Sequence, residues 1–144
     1  MTYQGSPFPT RIAHSRDKGV VMIGAAAALT VLSILLFALF YGLHVYSEEL
    51  LKQAVAEFDK PDWNKATRKY AAASDFSDLS VVGSAVTALA AGVLAFAGRL
   101  RTSNAGWRSG AIVVLVAAGL AFLVSGGLVG WWVLHVFVGI ATHL

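Results

Sequence analysis

The sequence predicts an all-α integral membrane protein with three transmembrane helices. Gly110–Leu144 runs for 35 residues without one Asp, Glu, Lys or Arg. A chain of 144 residues has no soluble core deep enough to hide such a run, so its natural solvent is lipid. Val20–Tyr46 and Leu79–Gly98 are likewise uncharged and apolar. A hydrophobic fraction of 57% against 13% charged residues places the whole chain in the membrane class. The length suffices for three spans, one modest loop and two tails, and excludes a separate soluble domain.

Residues 1–19 form a polar tail whose prolines, Pro7 and Pro9, disfavour helix. A segment so poor in apolar residues has little to fold against, so a neighbouring protein is expected to hold it. Val20–Tyr46 follows as the first span. Its apolar part is about twice the length of a signal peptide, and no small-x-small cleavage site follows Tyr46, so it reads as a retained anchor. Phe40, Tyr41 and Tyr46 form an aromatic belt at its far end, and Gly24 and Ala28 make a small-xxx-small step near its start.

Residues 47–78 carry five basic and seven acidic side chains. Ser47 suits a helix N-cap, Leu51, Val55 and Phe58 recur at helical spacing, and Pro61 suits the first turn of another helix. Trp63, Ala66 and Tyr70 share a face of that second helix. The expectation is two short amphipathic helices on the membrane surface or on a partner, with Phe58, Trp63 and Tyr70 as docking residues.

Leu79–Gly98 is the second span, and its side chains are small. Ser80, Ser84, Ala88 and Gly92 fall every four residues, beside a parallel row of Gly83, Thr87, Ala91 and Ala95. Such rows let helix backbones approach closely, a main source of association in lipid. The rows could face the same chain or another subunit. Residues 99–109 form a short loop with Arg99, Arg101 and Arg108 and no acid; Asn104 and Gly106 favour a turn, and Trp107 suits the interface.

The last run, as a straight helix, would reach ~52 Å and overshoot the bilayer. One solution is a span from Gly110 to about Trp132, with residues 133–144 bent along the surface or protruding. The alternative is a hairpin at Ser125-Gly126-Gly127, giving four spans. Gly126 and Gly130 form a GxxxG packing step in either case. Basic residues beside the spans orient the tail and the 99–109 loop to the cytoplasm, with the middle loop and the C-terminus outside.

The spans hold no Asp, Glu, Lys or Arg to relay protons or balance an ion, which argues against a pump or an ion-coupled transporter. No nucleophile elbow, P-loop, zinc-protease motif or dinucleotide fingerprint is present, and there is no cysteine. An enzyme is not expected, nor a metal site, nor nucleic acid as a partner. His44 and His135 fall near the outer face and are the candidates for cofactor ligation, with haem b the alternative to no cofactor at all. His143 lies two residues from the end. Three spans with interfacial histidines resemble the anchor subunits of succinate dehydrogenase, although those anchors place haem ligands within their helices.

Packing rows, the lack of buried ionisable groups and two polar segments short of partners point to a non-catalytic accessory subunit of a larger membrane complex in the cell membrane. A haem- or quinone-associated anchor and a small oligomeric pore are the alternatives. The Ala/Gly/Val-rich spans and the tail PFPTRIAHSRDKG resemble small membrane proteins of high-GC actinobacteria. Some of those are accessory subunits of the cytochrome bcc–oxidase supercomplex. The resemblance implies a respiratory parent complex whose haem and copper chemistry belongs to the neighbours.

Overall fold

The computed structural model describes residues 17–142 and consists there of three helices. They are α1 (Lys18–Ala56), α2 (Trp63–Arg101) and α3 (Ala105–Thr142). Each has 38 or 39 residues, about 57 Å of helix, and each is long and apolar enough to cross a membrane. The protein is a multi-pass helical membrane protein. Pro7, Pro9, Arg11 and Arg16 of the tail, and His143, lie outside the described residues.

Two sequence expectations are corrected by this architecture, and one alternative is excluded. Residues 47–78 do not form two separate short helices: the first half continues α1 and the second half opens α2, joined by a tight turn at 57–62. Ser47 is therefore no N-cap. It lies within α1, and its hydroxyl donates to the carbonyl of His44. The face buried there holds Ser47, Leu50 and Ala54, while Leu51, Val55 and Phe58 are exposed. No hairpin forms at Ser125-Gly126-Gly127, because α3 runs unbroken through it. Glycine costs a helix about 1 kcal/mol in propensity. In lipid an unmade backbone hydrogen bond costs several, so the helix wins.

α1 and α2 form a long antiparallel hairpin, and α3 leans chiefly on α2. The buried positions of α1 are Gly19, Ile23, Ala26, Thr30 and Ser33, resuming at Ser47, Leu50 and Ala54. Alternating steps of four and three are the seven-residue period of a left-handed coiled coil. α2 answers with Ser77, Ser80, Ser84, Ala91, Ala95 and Gly98. Small residues on both sides bring the backbones together.

Candidate functional site: the packing seams and their two ends

At the centre of the hairpin, Ser33 and Ser84 meet reciprocally. The Ser33 hydroxyl donates to the Ser84 carbonyl at 2.8 Å, the Ser84 hydroxyl donates to the Ser33 carbonyl at 2.9 Å, and the two Oγ atoms stand 3.1 Å apart. Both side chains are fully buried. A hydroxyl reaches across to the opposing backbone only where no larger side chain keeps the helices apart, so these bonds measure how close the seam is. Ser77 also reaches across, to the Phe40 carbonyl at 3.4 Å, whereas four hydroxyls bond back along their own helices: Thr30 to Ala26, Ser80 to Phe76, Thr87 to Gly83 and Ser125 to Ala121. Among the described residues, no buried side-chain polar atom lacks a partner.

One end of the bundle is closed by three helix caps. Asp17 caps α1, accepting from the Gly19 amide at 2.9 Å through one carboxylate oxygen. Its other oxygen accepts from the Thr102 hydroxyl at 2.7 Å, and Thr102 ends α2. Thr102 in turn accepts from the amide of Asn104, whose own side-chain oxygen accepts from Gly106 and Trp107 in the first turn of α3. The Thr102 hydroxyl, helped by backbone amides, holds the Asp17 carboxyl below its ordinary range against the opposing effect of desolvation. Beside this node Gly19 and Gly98 cross at closest approach. A methyl built on Gly98 would sit 2.8 Å from the Ile23 side chain and 2.9 Å from the Gly19 carbonyl oxygen.

The sequence-selected packing residues divide between two sides of α2. Ser80 and Ser84 are buried in the α1 seam, Gly83 faces Leu36 of α1, and Thr87 is half-buried near them. Ala88 and Gly92 instead line a groove against α3, opposite Ala118 and Gly119. A methyl on Gly92 would meet nothing within 4 Å, so Gly92 is not a point of helix contact within this chain. The same holds for Gly130 and Gly24, while Gly126 faces only Phe122 of its own helix. Gly19, Gly98 and Ser33, which form the tightest contacts, were not singled out from sequence. Their signal was the seven-residue period: extending it from Ser84 through Ala91 and Ala95 reaches Gly98.

α3 buries little. Only Ala111, Ala118 and Ser125 are buried, one residue every seven. The next step of that stripe is Trp132, which is exposed, so the seam ends there. The pairing of Ser33 with Ser84 and Gly19 with Gly98 fixes the hairpin register. That register sets Tyr41 on α1 level with Phe76 to Asp78 on α2, and the α2–α3 groove extends the same level to about Trp131 and Trp132. Tyrosine, aspartate and tryptophan thus mark one interface; Lys18, Arg99, Arg101 and Trp107 mark the other, about 33 Å away.

Beyond the tryptophans all three helices continue. α1 and α2 become a charged stem bearing exposed ion pairs, Lys52 with Glu49 and Lys65 with Asp62, which contribute little in water. At its tip Phe58 and Trp63 meet edge to face, ring centres 5.5 Å apart and both exposed; Tyr70 lies half-buried on the stem, away from them. His44 pairs with Glu48 at 3.6 Å and stacks on Phe40. His135 contacts the Trp131 carbonyl and ring on α3. The histidines stand at about the same level, on the two helices that touch least.

Family models, characterised proteins and solved structures give no match to this chain.

Proposed function

We propose that this chain is a non-catalytic subunit of a larger membrane assembly, acting through helix packing. One observation carries the reading. From Trp131 to Ala141 α3 has no Asp, Glu, Lys or Arg and is largely exposed, yet it stands level with the charged stem of α1 and α2. If that level is water, three turns of apolar helix need cover. If it is lipid, the charges of the stem need partners. A neighbouring subunit seated on the end of α3 resolves the conflict, because the stem then stays in water while the apolar turns are covered. The resemblance of the tail and spans to actinobacterial accessory subunits makes a respiratory electron-transfer complex the first parent to test, with any redox cofactor held by the neighbours.

The test is purification of the tagged chain in mild detergent with identification of everything that accompanies it. Stoichiometric larger subunits are expected. Changing both Phe137 and Ile140 to Gln should release them while the chain stays in the membrane. A chain that emerges alone, or only as a homo-oligomer, would refute the reading.

A further inference from the structure

We propose that the cleft between the end of α2 and the start of α3 is a binding site for one anionic phospholipid, with Arg99 and Arg108 holding the phosphate. The two arginines line a single pocket of about 380 Å³ together with Phe96 and Leu100. Phe96 also lines the apolar groove of about 390 Å³ that runs on between the helices. A charged mouth and an apolar trench therefore adjoin, with Phe96 common to both.

The trench is cut by absent side chains. Gly92 and Gly119 both line it, and a methyl on either would meet nothing within 4 Å. The rings of Phe96 and Phe122 wall it at the two ends. From Arg99 to Ala88 is eleven residues of α2, about 16 Å, roughly half of a ~30 Å hydrocarbon layer. A trench of that depth, opening at the interface, matches the acyl chains of one leaflet. A transmembrane helix of a partner would need a groove running through both.

Charge selects the headgroup. Neither arginine has an ion pair among the described residues, where the salt bridges involve His44, Lys52 and Lys65. Arg108 lies in the first turn of α3, where the helix's own partial positive charge disfavours a cation. A phosphate between the two guanidinium groups supplies the missing anion and accepts charge-assisted hydrogen bonds from both. The proposal is independent of the subunit assignment and holds for the chain alone.

The experiment uses the full chain in nanodiscs of equal phosphatidylglycerol and phosphatidylcholine, with lipid retained on the released protein read by native mass spectrometry. At about fivefold per arginine–headgroup contact, retention of phosphatidylglycerol over phosphatidylcholine should be enriched roughly thirtyfold. The R99Q/R108Q double variant should bring that ratio near one. Lys52→Gln with Lys65→Gln removes the same charge from the opposite end and should leave it unchanged. Gly119→Leu keeps the arginines but fills the trench, and should abolish retention of the lipid. Equal retention of both lipids by the unaltered protein, or enrichment that survives R99Q/R108Q, overturns the proposal. Enrichment that survives Gly119→Leu also overturns it, because the arginines would then be acting as a surface charge alone.

Discussion

Replacing Gly98 and Gly92 in turn by alanine separates close packing from helix propensity, because both glycines lie within α2. Each change should gain about 0.5–1 kcal/mol of helix propensity. At Gly92 nothing stands within 4 Å of the added methyl, so that gain should appear as a small stabilisation. At Gly98 the methyl meets the Ile23 side chain at 2.8 Å, the Gly19 carbonyl oxygen at 2.9 Å and the Met22 Cβ at 3.1 Å. One of these contacts is backbone, so a rotamer change cannot relieve it and the helices must part. Overpacking of this kind costs about 1–3 kcal/mol. The propensity gain is common to both variants, so Gly98→Ala should be less stable than Gly92→Ala by roughly that 1–3 kcal/mol. The chain has no cysteine, so pyrene labels on Val21→Cys and Leu100→Cys, both exposed, can report closure of this end by excimer emission during an SDS titration. Equal midpoints for the two alanine variants would refute the claim that α1 and α2 touch through Gly19 and Gly98.

The Ser33–Ser84 pair should behave as one unit in the same assay. Each serine changed to alanine should cost about 0.6 kcal/mol, at most about 1.7, and the double change less than the sum; strict additivity would mean that the hydroxyls do not meet. Asp17 predicts an acid dependence. Its folded pKa lies below the ordinary 3.8, so its contribution is fully present above 3.8 and is lost as pH falls through the lower, folded value. The midpoint difference between the unaltered protein and Asp17→Asn, measured with the same pyrene pair, should hold steady above 3.8 and shrink as pH is lowered below it. A constant difference would show that the carboxylate is not held by Thr102.

Class and span number were legible because lipid imposes a coarse rule: a run of about twenty apolar residues is a helix across the bilayer. The stem was misread because its alternation of charge with Leu51, Val55 and Phe58 looks the same whether a helix lies on a membrane or rises from it. What decides is continuity with α1, and Pro61 marked only the turn. The rows on α2 show a similar limit. Reading Ser80, Ser84, Ala88 and Gly92 as one face assumes a period of four, whereas packed helices follow three and a half. Over three steps the difference turns the row from α1 toward α3, which is why Ser84 meets α1 and Gly92 opens onto the groove. The basic loop was read only for orientation. That Arg99 and Arg108 line one pocket depends on the three-residue turn at 102–104 folding α3 back beside α2, a fact of geometry rather than composition.

The end of α3 offers the sharpest test of the assembly. Three single-cysteine variants probe three environments: Val55→Cys on the charged stem, Val116→Cys in the span and Phe137→Cys beyond the tryptophans, all exposed within the isolated chain. A membrane-impermeant maleimide, applied to membranes opened on both sides, should label Val55→Cys freely and leave Val116→Cys dark. The register puts Phe137 level with the stem, so lipid should not protect it. In native membranes Phe137→Cys should nevertheless stay dark, because a neighbour covers it, and should label at the rate of Val55→Cys once the chain is purified into vesicles by itself. Rapid labelling in both settings would mean that three apolar turns stand bare in water. Darkness in both would mean that lipid reaches them, with the stem lying in the headgroups. Either result removes the demand for a partner on the end of α3, since an apolar segment held at the level of an aqueous stem is what creates it.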